Sequence, residues 1–389
     1  MTAGKITIKA GPSVEGDDFY GREKELRYAW ENHISKGVSL LLSAPRRVGK
    51  SSFAKRMLRS AKENRWKTLY LDLQGISTES EFVKLFKEGL GETGIQKTGD
   101  IVLKLFESIQ DFEVLGNKVL INSNVWRNDT YGKIKQLIEN AGEILIVIDE
   151  LTIYLNHLLT QENGKEKVEF FLEWLRKFRQ TSGTNVRWIL CSSVGIENFA
   201  SIHNLSKHLN DIHFFYIGAF SEDEAKDFIS RLDIGDNEQF TEEHIQHILD
   251  KLVWHLPFFI QILVEKINSL ICLDEKKQLS NDTIDEAYDC LISEKHFNTW
   301  DDRLKYYCEF EDTARKILKS CALPNGESKE NLLTNLSANK SDIDIDKMET
   351  ILSKLLNMLK HDGYLTEHSG KYIFRSPLLR VFWYNRFVL

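Results

Sequence analysis

The sequence predicts an α/β fold, a three-layer sandwich around a mostly parallel sheet, followed by a helical lid and a third domain of helices and one hairpin. Apolar segments of strand length alternate with amphipathic helices across residues 1–218. From Phe220 onward the apolar spacing is helical, and the last segment adds two short strands to three helices. We therefore expect an α/β core at 1–218, a helical lid at 219–295 and a third domain at 296–389.

The composition is typical of a globular protein with two or three domains. The chain has 389 residues, 42% of them hydrophobic, and a net charge of −7, which argues against a generally basic nucleic-acid coat. We find no apolar run of membrane-spanning length and no cationic leader, so no membrane association is expected. The five cysteines form no C-x-x-C pair and are typical of reduced thiols, which indicates a cytoplasmic protein.

The first predicted strand leads into a loop with the features of a phosphate-binding loop. An apolar run covers Val38–Leu42, and a helix is predicted to begin at Ser51. The segment between them fits the pattern G-x-x-x-x-G-K-[ST], with Ala44 at the first glycine position. Lys50 is expected to reach the β- and γ-phosphates, and Ser51 to give its hydroxyl to Mg²⁺. Backbone N–H groups would surround the phosphate oxygens, and they belong to Ala44, Arg47, Val48, Gly49, Lys50, Ser51 and Ser52.

A second apolar strand ends in two carboxylates. Five consecutive aliphatic residues, Ile144–Ile148, precede Asp149 and Glu150, which indicates a fully buried central strand. Ligands of open parallel sheets bind beyond the carboxyl ends of the strands, so both carboxylates are expected to point toward the loop. Asp149 would hold Mg²⁺, directly or through water, and Glu150 would polarise the attacking water. A solvated acidic turn is the alternative, which the phosphate-loop pattern upstream disfavours.

The remaining strands of the sheet are predicted at 67–72, 186–191 and 213–217. The strand at 186–191 ends in Ser192 and Ser193, and either hydroxyl would be placed to sense the γ-phosphate, unless the pair forms an ordinary turn. A helix at 101–109 and a hairpin at 112–121 are also expected.

The C-terminal half is predicted to be mainly helical. Capping-box and periodicity signals place the lid helices at 225–232, 242–252, 257–270 and 281–293. Three further helices at 310–322, 329–336 and 345–360 precede a hairpin around His368, Ser369 and Gly370. Three helices followed by a hairpin predict a winged helix, and an aromatic helix at 378–387 closes the chain.

Taken together, these segments resemble the archaeal-type P-loop ATPases, which are related to the AAA+ and STAND proteins and are origin-recognition-like. The resemblance covers nearly the whole chain. It is carried by Tyr20-Gly21-Arg22, Pro45 to Ser51, Ile148-Asp149-Glu150, the strand from Arg187 to Ser193, Pro257, and Gly363-Tyr364 through Pro377 to Arg380.

The resemblance implies a P-loop NTPase sandwich with an additional strand between the phosphate-loop strand and the acidic strand. It also implies ATP and Mg²⁺ as cofactors, with Tyr20, Arg22 and Pro257 on the adenine side. Hydrolysis is expected to be slow. An arginine from a neighbouring copy in a homo-oligomer would complete the site, and Arg176 or Arg179 is the expected residue.

Three functions remain open at this point. The first is an ATP-driven conformational switch acting on a protein partner. The second is a DNA-binding ATPase of the replication-initiator or loader type, which would contact duplex DNA through basic residues near the hairpin. These residues are Lys371, Arg375, Arg380 and Arg386. The third is a scaffold that binds ATP without turnover, against which the presence of Glu150 argues.

Overall fold

The computed structural model describes residues 5–93, 124–139, 141–180, 185–192, 195–234, 239–274, 277–293, 295–338 and 345–388. Residue contacts divide the chain into two compact units. One unit contains 22–43 and 50–216, and the other contains 1–21, 44–49 and 217–389. The division assigns the phosphate-loop residues 44–49 to the C-terminal unit. The three predicted domains, 1–218, 219–295 and 296–389, stay a prediction.

The first unit is built around a five-stranded parallel sheet with the order β2-β3-β4-β1-β5. Its strands are β1 Leu40–Ser43, β2 Lys67–Asp72, β3 Ile144–Asp149, β4 Val186–Cys191 and β5 His213–Tyr216. β4 lies between β1, which leads into the loop, and β3, which carries the carboxylates. The additional strand that the resemblance implies is therefore present.

The apolar strand sequences explain why this sheet is buried on both faces. Every residue of β3 is buried, as expected for a central parallel strand covered by helices on each side. Successive side chains of a strand alternate between faces. Ile144, Ile146 and Ile148 accordingly join the main apolar cluster with Phe82 and Phe171. Val147 and Asp149 lie on the opposite face.

Seven described helices belong to this unit. They are Glu23–Asn32, Lys50–Glu63, Glu79–Glu92, Asn124–Glu139, Leu151–Leu159, Gly164–Gln180 and Ile196–His203. The helices at 124–139, 151–159 and 196–203 were not predicted from the sequence. The apolar helix Leu151–Leu159 begins only two residues after the aliphatic run of β3. The left-handed backbone of Glu150 (φ 55°) separates the strand from this helix. The predicted helix 101–109 and hairpin 112–121 lie outside the described residues.

The second unit begins with an N-terminal segment that pairs with its helices. The N–H of Ile6 donates to the carbonyl of Arg231, and the N–H of Asp233 donates to the carbonyl of Ile6. The predicted capping box is present, since the Ser221 hydroxyl accepts from the N–H of Glu224. The first helices of this unit are Glu222–Arg231, Glu242–Leu252, Pro257–Leu273, Asn281–Ser293 and Asn298–Asp302.

The C-terminal part of this unit combines helices with a small antiparallel sheet. The sheet has the order β6-β8-β7, with β6 at Glu327–Ser328, β7 at Leu365–His368 and β8 at Lys371–Phe374. The helices are Glu311–Cys321, Lys329–Ser337, Ile345–His361 and Pro377–Phe387. The hairpin and helices agree with the sequence, whereas the two-residue β6 is too short to have left a pattern. The winged-helix assignment stays a prediction. Across the described residues, no helix is both long and apolar enough to cross a membrane.

Candidate active site

The phosphate-loop segment has the backbone that its sequence pattern requires. Gly49 has a φ of 97°, in the left-handed region that favours glycine, and the helix begins at the next residue, Lys50. Val48, Lys50 and Ser52 are buried, and Ser51 is partly exposed in the first helical turn. The first N–H groups of a helix have no intrahelical partner, and Lys50, Ser51 and Ser52 are the first residues of this helix.

The side chains of Pro45, Arg46 and Arg47 lie within the C-terminal unit. Arg46 donates from Nη1 to the carbonyl of Thr299 at 3.1 Å. Arg47 donates from Nη1 to the carbonyl of Gly11 at 3.0 Å, and its guanidinium lies 4.3 Å from the ring centre of Phe258. Burial lowers the pKa of Arg47 from its ordinary value. The side chain of Arg47 is therefore bound to these partners. The predicted contact of Arg47 with phosphate is left to its backbone N–H.

The carboxylate of Asp149 is buried, with 4% of the residue exposed, and is held by two hydrogen bonds. Its Oδ1 accepts from the N–H of Glu150 at 2.9 Å, and its Oδ2 accepts from the phenol of Tyr70 at 2.8 Å. Burial, and then the charge of Asp149, raises the pKa of Tyr70 far above its ordinary value. The phenol therefore keeps its proton and acts as the donor.

Glu150 follows Asp149 in a backbone conformation that is unusual for a side-chain-bearing residue. Its φ of 55° and ψ of 32° lie in the left-handed region, and it is the residue that precedes the helix Leu151–Leu159. Non-glycine residues in this region cost about 1–3 kcal/mol and cluster at functional sites. This conformation ends the buried strand before Glu150, and Glu150 itself is partly exposed.

Three residues predicted to bind phosphate, metal and water affect the thiol of Cys191 through their charges. Burial raises the pKa of this thiol well above its ordinary value, and the charge of Asp149 raises it further. Lys50 lowers the same pKa, and Glu150 raises it. Electrostatic effects of this kind decay with distance. Lys50, Asp149 and Glu150 therefore each lie near enough to Cys191, the last residue of β4, to act on its thiol.

Ser192 lies beside the helix that follows Glu150. It is buried, and its hydroxyl oxygen accepts from the N–H of Thr152 at 3.3 Å. Ser193, the other candidate for sensing the γ-phosphate, lies outside the described residues. Ser192 therefore places a neutral hydroxyl near the residue that precedes this helix, Glu150. Its role in sensing the γ-phosphate stays a prediction.

The two candidate arginine fingers are bound within their own unit. Arg179 donates to both carboxylate oxygens of Asp211, at 3.1 and 3.0 Å, and also to the carbonyl of His208. Arg176 lies 3.7 Å from the same carboxylate and keeps 35% of its side chain exposed. Of the two, Arg176 is the more accessible to a neighbouring copy.

The structure gives the contacts of the residues that are predicted to lie on the adenine side. Tyr20 donates to Asp227 at 2.6 Å and packs on Phe220 and Phe228. Pro257 is the first residue of the helix that ends at Leu273. In the other unit, Arg22 is buried, has a φ of 70°, and pairs with Glu25 at 3.2 Å. Their contact with adenine stays a prediction.

The donor set suits Mg²⁺, which prefers oxygen ligands and is usually held by one or two carboxylates together with substrate phosphates and water. Asp149 has the required anionic oxygens, which accept from Tyr70 and from the N–H of Glu150, with the Cys191 thiol as a further hydrogen-bond partner. Ser51, in the first turn of the helix beside Lys50, has the second oxygen that the motif assigns to the metal.

Neither a protein-family model nor a curated protein matches the sequence. Solved structures match over nearly the whole chain. The Walker-type ATPase PABY2304 of Pyrococcus abyssi is 18% identical, with a TM-score of 0.59 over 97% of this chain and 99% of that chain. The ORC2 protein of Aeropyrum pernix, solved as ADPNP-ADP complexes, is 13% identical, with a TM-score of 0.57 over 96% of this chain and 94% of that chain. At such identities the likeness shows the fold, and the predicted α/β sandwich of P-loop ATPases is confirmed.

Proposed function

We propose that this protein is a slow Mg·ATP hydrolase that acts as a nucleotide-dependent conformational switch on a protein partner. Lys50 and the backbone of the loop bind the phosphates, Ser51 and Asp149 hold Mg²⁺, and Glu150 orients the attacking water. Mg²⁺ would neutralise charge on the transferred phosphoryl group. We further propose a cytoplasmic protein in which Arg176 of a neighbouring copy completes the site, and in which the C-terminal helices and sheet form a winged helix.

The observation that carries the switch is the position of the loop's own side chains. Three consecutive loop residues, Pro45, Arg46 and Arg47, contact different segments of the C-terminal unit. A ligand can shift a conformational equilibrium only through contacts that differ between the two states. Phosphate bound by the backbone of this loop would act directly on the residues whose side chains make these contacts. ATP binding and the contacts of the C-terminal unit are thereby linked.

A protein partner is favoured over DNA because the three arginines that the DNA alternative depends on, Arg375, Arg380 and Arg386, contact other residues of the C-terminal unit. Arg375 lies over the ring of Trp254, Arg380 donates to the carbonyl of Ala322, and Arg386 pairs with Asp301. On the helix Ile345–His361 and its neighbours, Lys360 pairs with Glu367, and Glu349 pairs with Lys329. A duplex-binding face usually presents a cluster of unpaired cations.

The test combines nucleotide binding with hydrogen exchange of the full chain. Binding of Mg·ATP at micromolar concentration, with changed amide exchange around Trp254 and Gly363, is the expected result. The variant Lys50→Ala should lose both. Binding without any change in exchange would rule out the switch and favour the scaffold. Absence of binding in the wild type would overturn the whole proposal. A hydrolysis rate that rises with duplex DNA and falls with salt would favour the DNA alternative.

Gly363→Ala is expected to destabilise the C-terminal unit where the loop meets it. Gly363 has a φ of 89°, and a Cβ there would lie 2.7 Å from Trp254 and 2.9 Å from Pro45. Gly370→Ala is a matched control, because its φ is 75° and nothing lies within 4 Å. The left-handed backbone costs about 1–2 kcal/mol in both variants. Overpacking should cost Gly363→Ala about 1–3 kcal/mol more. Urea unfolding measures the difference, and equal losses would contradict the contact.

A further inference from the structure

Tyr70 faces the candidate magnesium site from the strand next to the acidic one. β2 and β3 are parallel and in register, with Tyr70 opposite Val147 and Asp72 opposite Asp149. Leu69 and Leu71 point into the main apolar cluster. Since side chains alternate along a strand, Tyr70 points to the other face, which it shares with Asp149.

The phenol of Tyr70 ties the Asp149 carboxylate to the adjacent strand. It donates to Oδ2 at 2.8 Å, while Oδ1 accepts from the N–H of Glu150 at 2.9 Å. Because hydrogen bonds hold both oxygens, and the Cys191 thiol is a further partner, the carboxylate cannot rotate without losing these bonds. The lone pairs that remain are therefore held in a fixed direction, which is what a metal ligand requires.

The ring of Tyr70 also contacts the helix that carries the second predicted magnesium ligand. The ammonium of Lys55 lies 5.2 Å from its ring centre. Lys55 is four residues after Ser51 on the helix Lys50–Glu63, and residues at that spacing lie on the same helix face. Tyr70 therefore lies next to both the carboxylate of Asp149 and the ammonium of Lys55, a residue on the same helix face as Ser51.

We propose that Tyr70 is a positioning residue of the magnesium site, whose phenol holds Asp149 in the orientation that receives Mg²⁺ together with the nucleotide. The inference rests on the proposed ATP site and adds a residue that neither the loop motif nor the acidic motif contains. Nothing in the sequence pattern marks it, because a tyrosine in a strand is ordinarily a packing residue. If Tyr70 only packs, removing its hydroxyl should not change the Mg²⁺ dependence of nucleotide binding. If it positions Asp149, that dependence should change.

The experiment measures the binding of a fluorescent ATP analogue to the full chain across a series of Mg²⁺ concentrations and in EDTA. Tyr70→Phe keeps the ring and its contact with Lys55, and removes only the hydroxyl. Its Mg²⁺ midpoint should rise about 10- to 100-fold, as for other hydrogen-bond partners of metal ligands. Affinity in EDTA should stay within about twofold of the wild type, a difference well under 1 kcal/mol.

Two comparisons make the result specific. Tyr28→Phe removes an exposed hydroxyl from the helix Glu23–Asn32 and should leave the Mg²⁺ midpoint unchanged. Asp149→Asn should shift the midpoint at least as far as Tyr70→Phe does. If Tyr70 acts through Asp149, the double variant will be no worse than Asp149→Asn alone, since two changes in one network are not additive.

Three outcomes would overturn the proposal. An unchanged midpoint in Tyr70→Phe, with a shift in Asp149→Asn, would show that the phenol does not position the carboxylate. Equal loss of nucleotide affinity with Mg²⁺ and in EDTA would show that Tyr70 only supports the fold. Both results leave the proposed ATPase intact. Absence of nucleotide binding by the wild type would overturn the ATP site and this inference together.

Discussion

Replacing Glu150 with Gln is expected to lower steady-state ATP hydrolysis by about 10²- to 10⁴-fold, the usual contribution of a positioned general base. The amide has the shape of the carboxylate but cannot accept a proton from the attacking water. The backbone at Glu150 (φ 55°) is equally unfavourable for Glu and Gln, so the turn and the helix that begins at Leu151 should be retained. ATP affinity and thermal stability should therefore stay close to those of the wild type.

Glu143→Gln is the matched control for this prediction. Glu143 directly precedes β3, so it lies at the amino end of the strand whose carboxyl end leads to Glu150, and it is exposed. The same chemical change there should leave hydrolysis unaltered. Wild-type turnover in Glu150→Gln would show that the base is a different group. If the wild type and both variants bind ATP and none hydrolyses it, the scaffold interpretation would replace the ATPase.

The strands of the sheet were predictable because each contains a short apolar segment, whereas the order of the strands was not. β3 begins with its aliphatic run and ends one residue beyond it, at Asp149, and β4 begins at Val186 and ends at Cys191. Burial on both faces leaves few other structures for such segments. The same pattern predicts that Lys50, Asp149 and Glu150 lie close together, since the carboxyl ends of parallel strands meet at one edge.

What the sequence could not predict depends on contacts between distant residues. Arg46 and Arg47 stand in a phosphate-loop motif, but their side-chain partners, Thr299 and Gly11, are 253 and 36 residues away. Tyr70 and Asp149 are separated by 79 residues and meet only because β2 and β3 are in register. Local periodicity reports which face of a strand or helix is buried, and it contains no information about such pairs.

Removing Arg127 is expected to cause the largest loss of stability of any single substitution considered for the first unit. Arg127 is 1% exposed, and its Nε lies 3.0 Å from each carboxylate oxygen of Glu79. The pair joins the helices Asn124–Glu139 and Glu79–Glu92, with Glu166 3.7 Å away on a third helix. Arg127→Met leaves a buried carboxylate without its counter-charge, which should cost about 3–5 kcal/mol of unfolding free energy.

The pH dependence of that loss identifies its cause. Burial raises the pKa of Glu79 above its ordinary value, and Arg127 is the main opposing influence. Without Arg127 the pKa should rise further. A group whose pKa is raised on folding stabilises the folded state most below its unfolded pKa, and that contribution is lost as pH rises through the folded pKa. The deficit of Arg127→Met should therefore be smallest in acid and grow toward neutral pH. A deficit independent of pH would indicate lost packing.

A double variant separates the cost of an unpaired charge from the value of the pair itself. Breaking a buried ion pair is costly, yet replacing both partners with apolar residues is often neutral or stabilising. Glu79→Leu combined with Arg127→Met should therefore recover most of the stability that Arg127→Met loses in urea unfolding. Arg59→Met is the exposed control, because its pair with Glu63 is more than half exposed and should contribute about 0.2–1 kcal/mol. If the double variant is no more stable than Arg127→Met, the contact of Arg127 with Glu79 itself holds the three helices together, and the uncompensated charge is not the main cost.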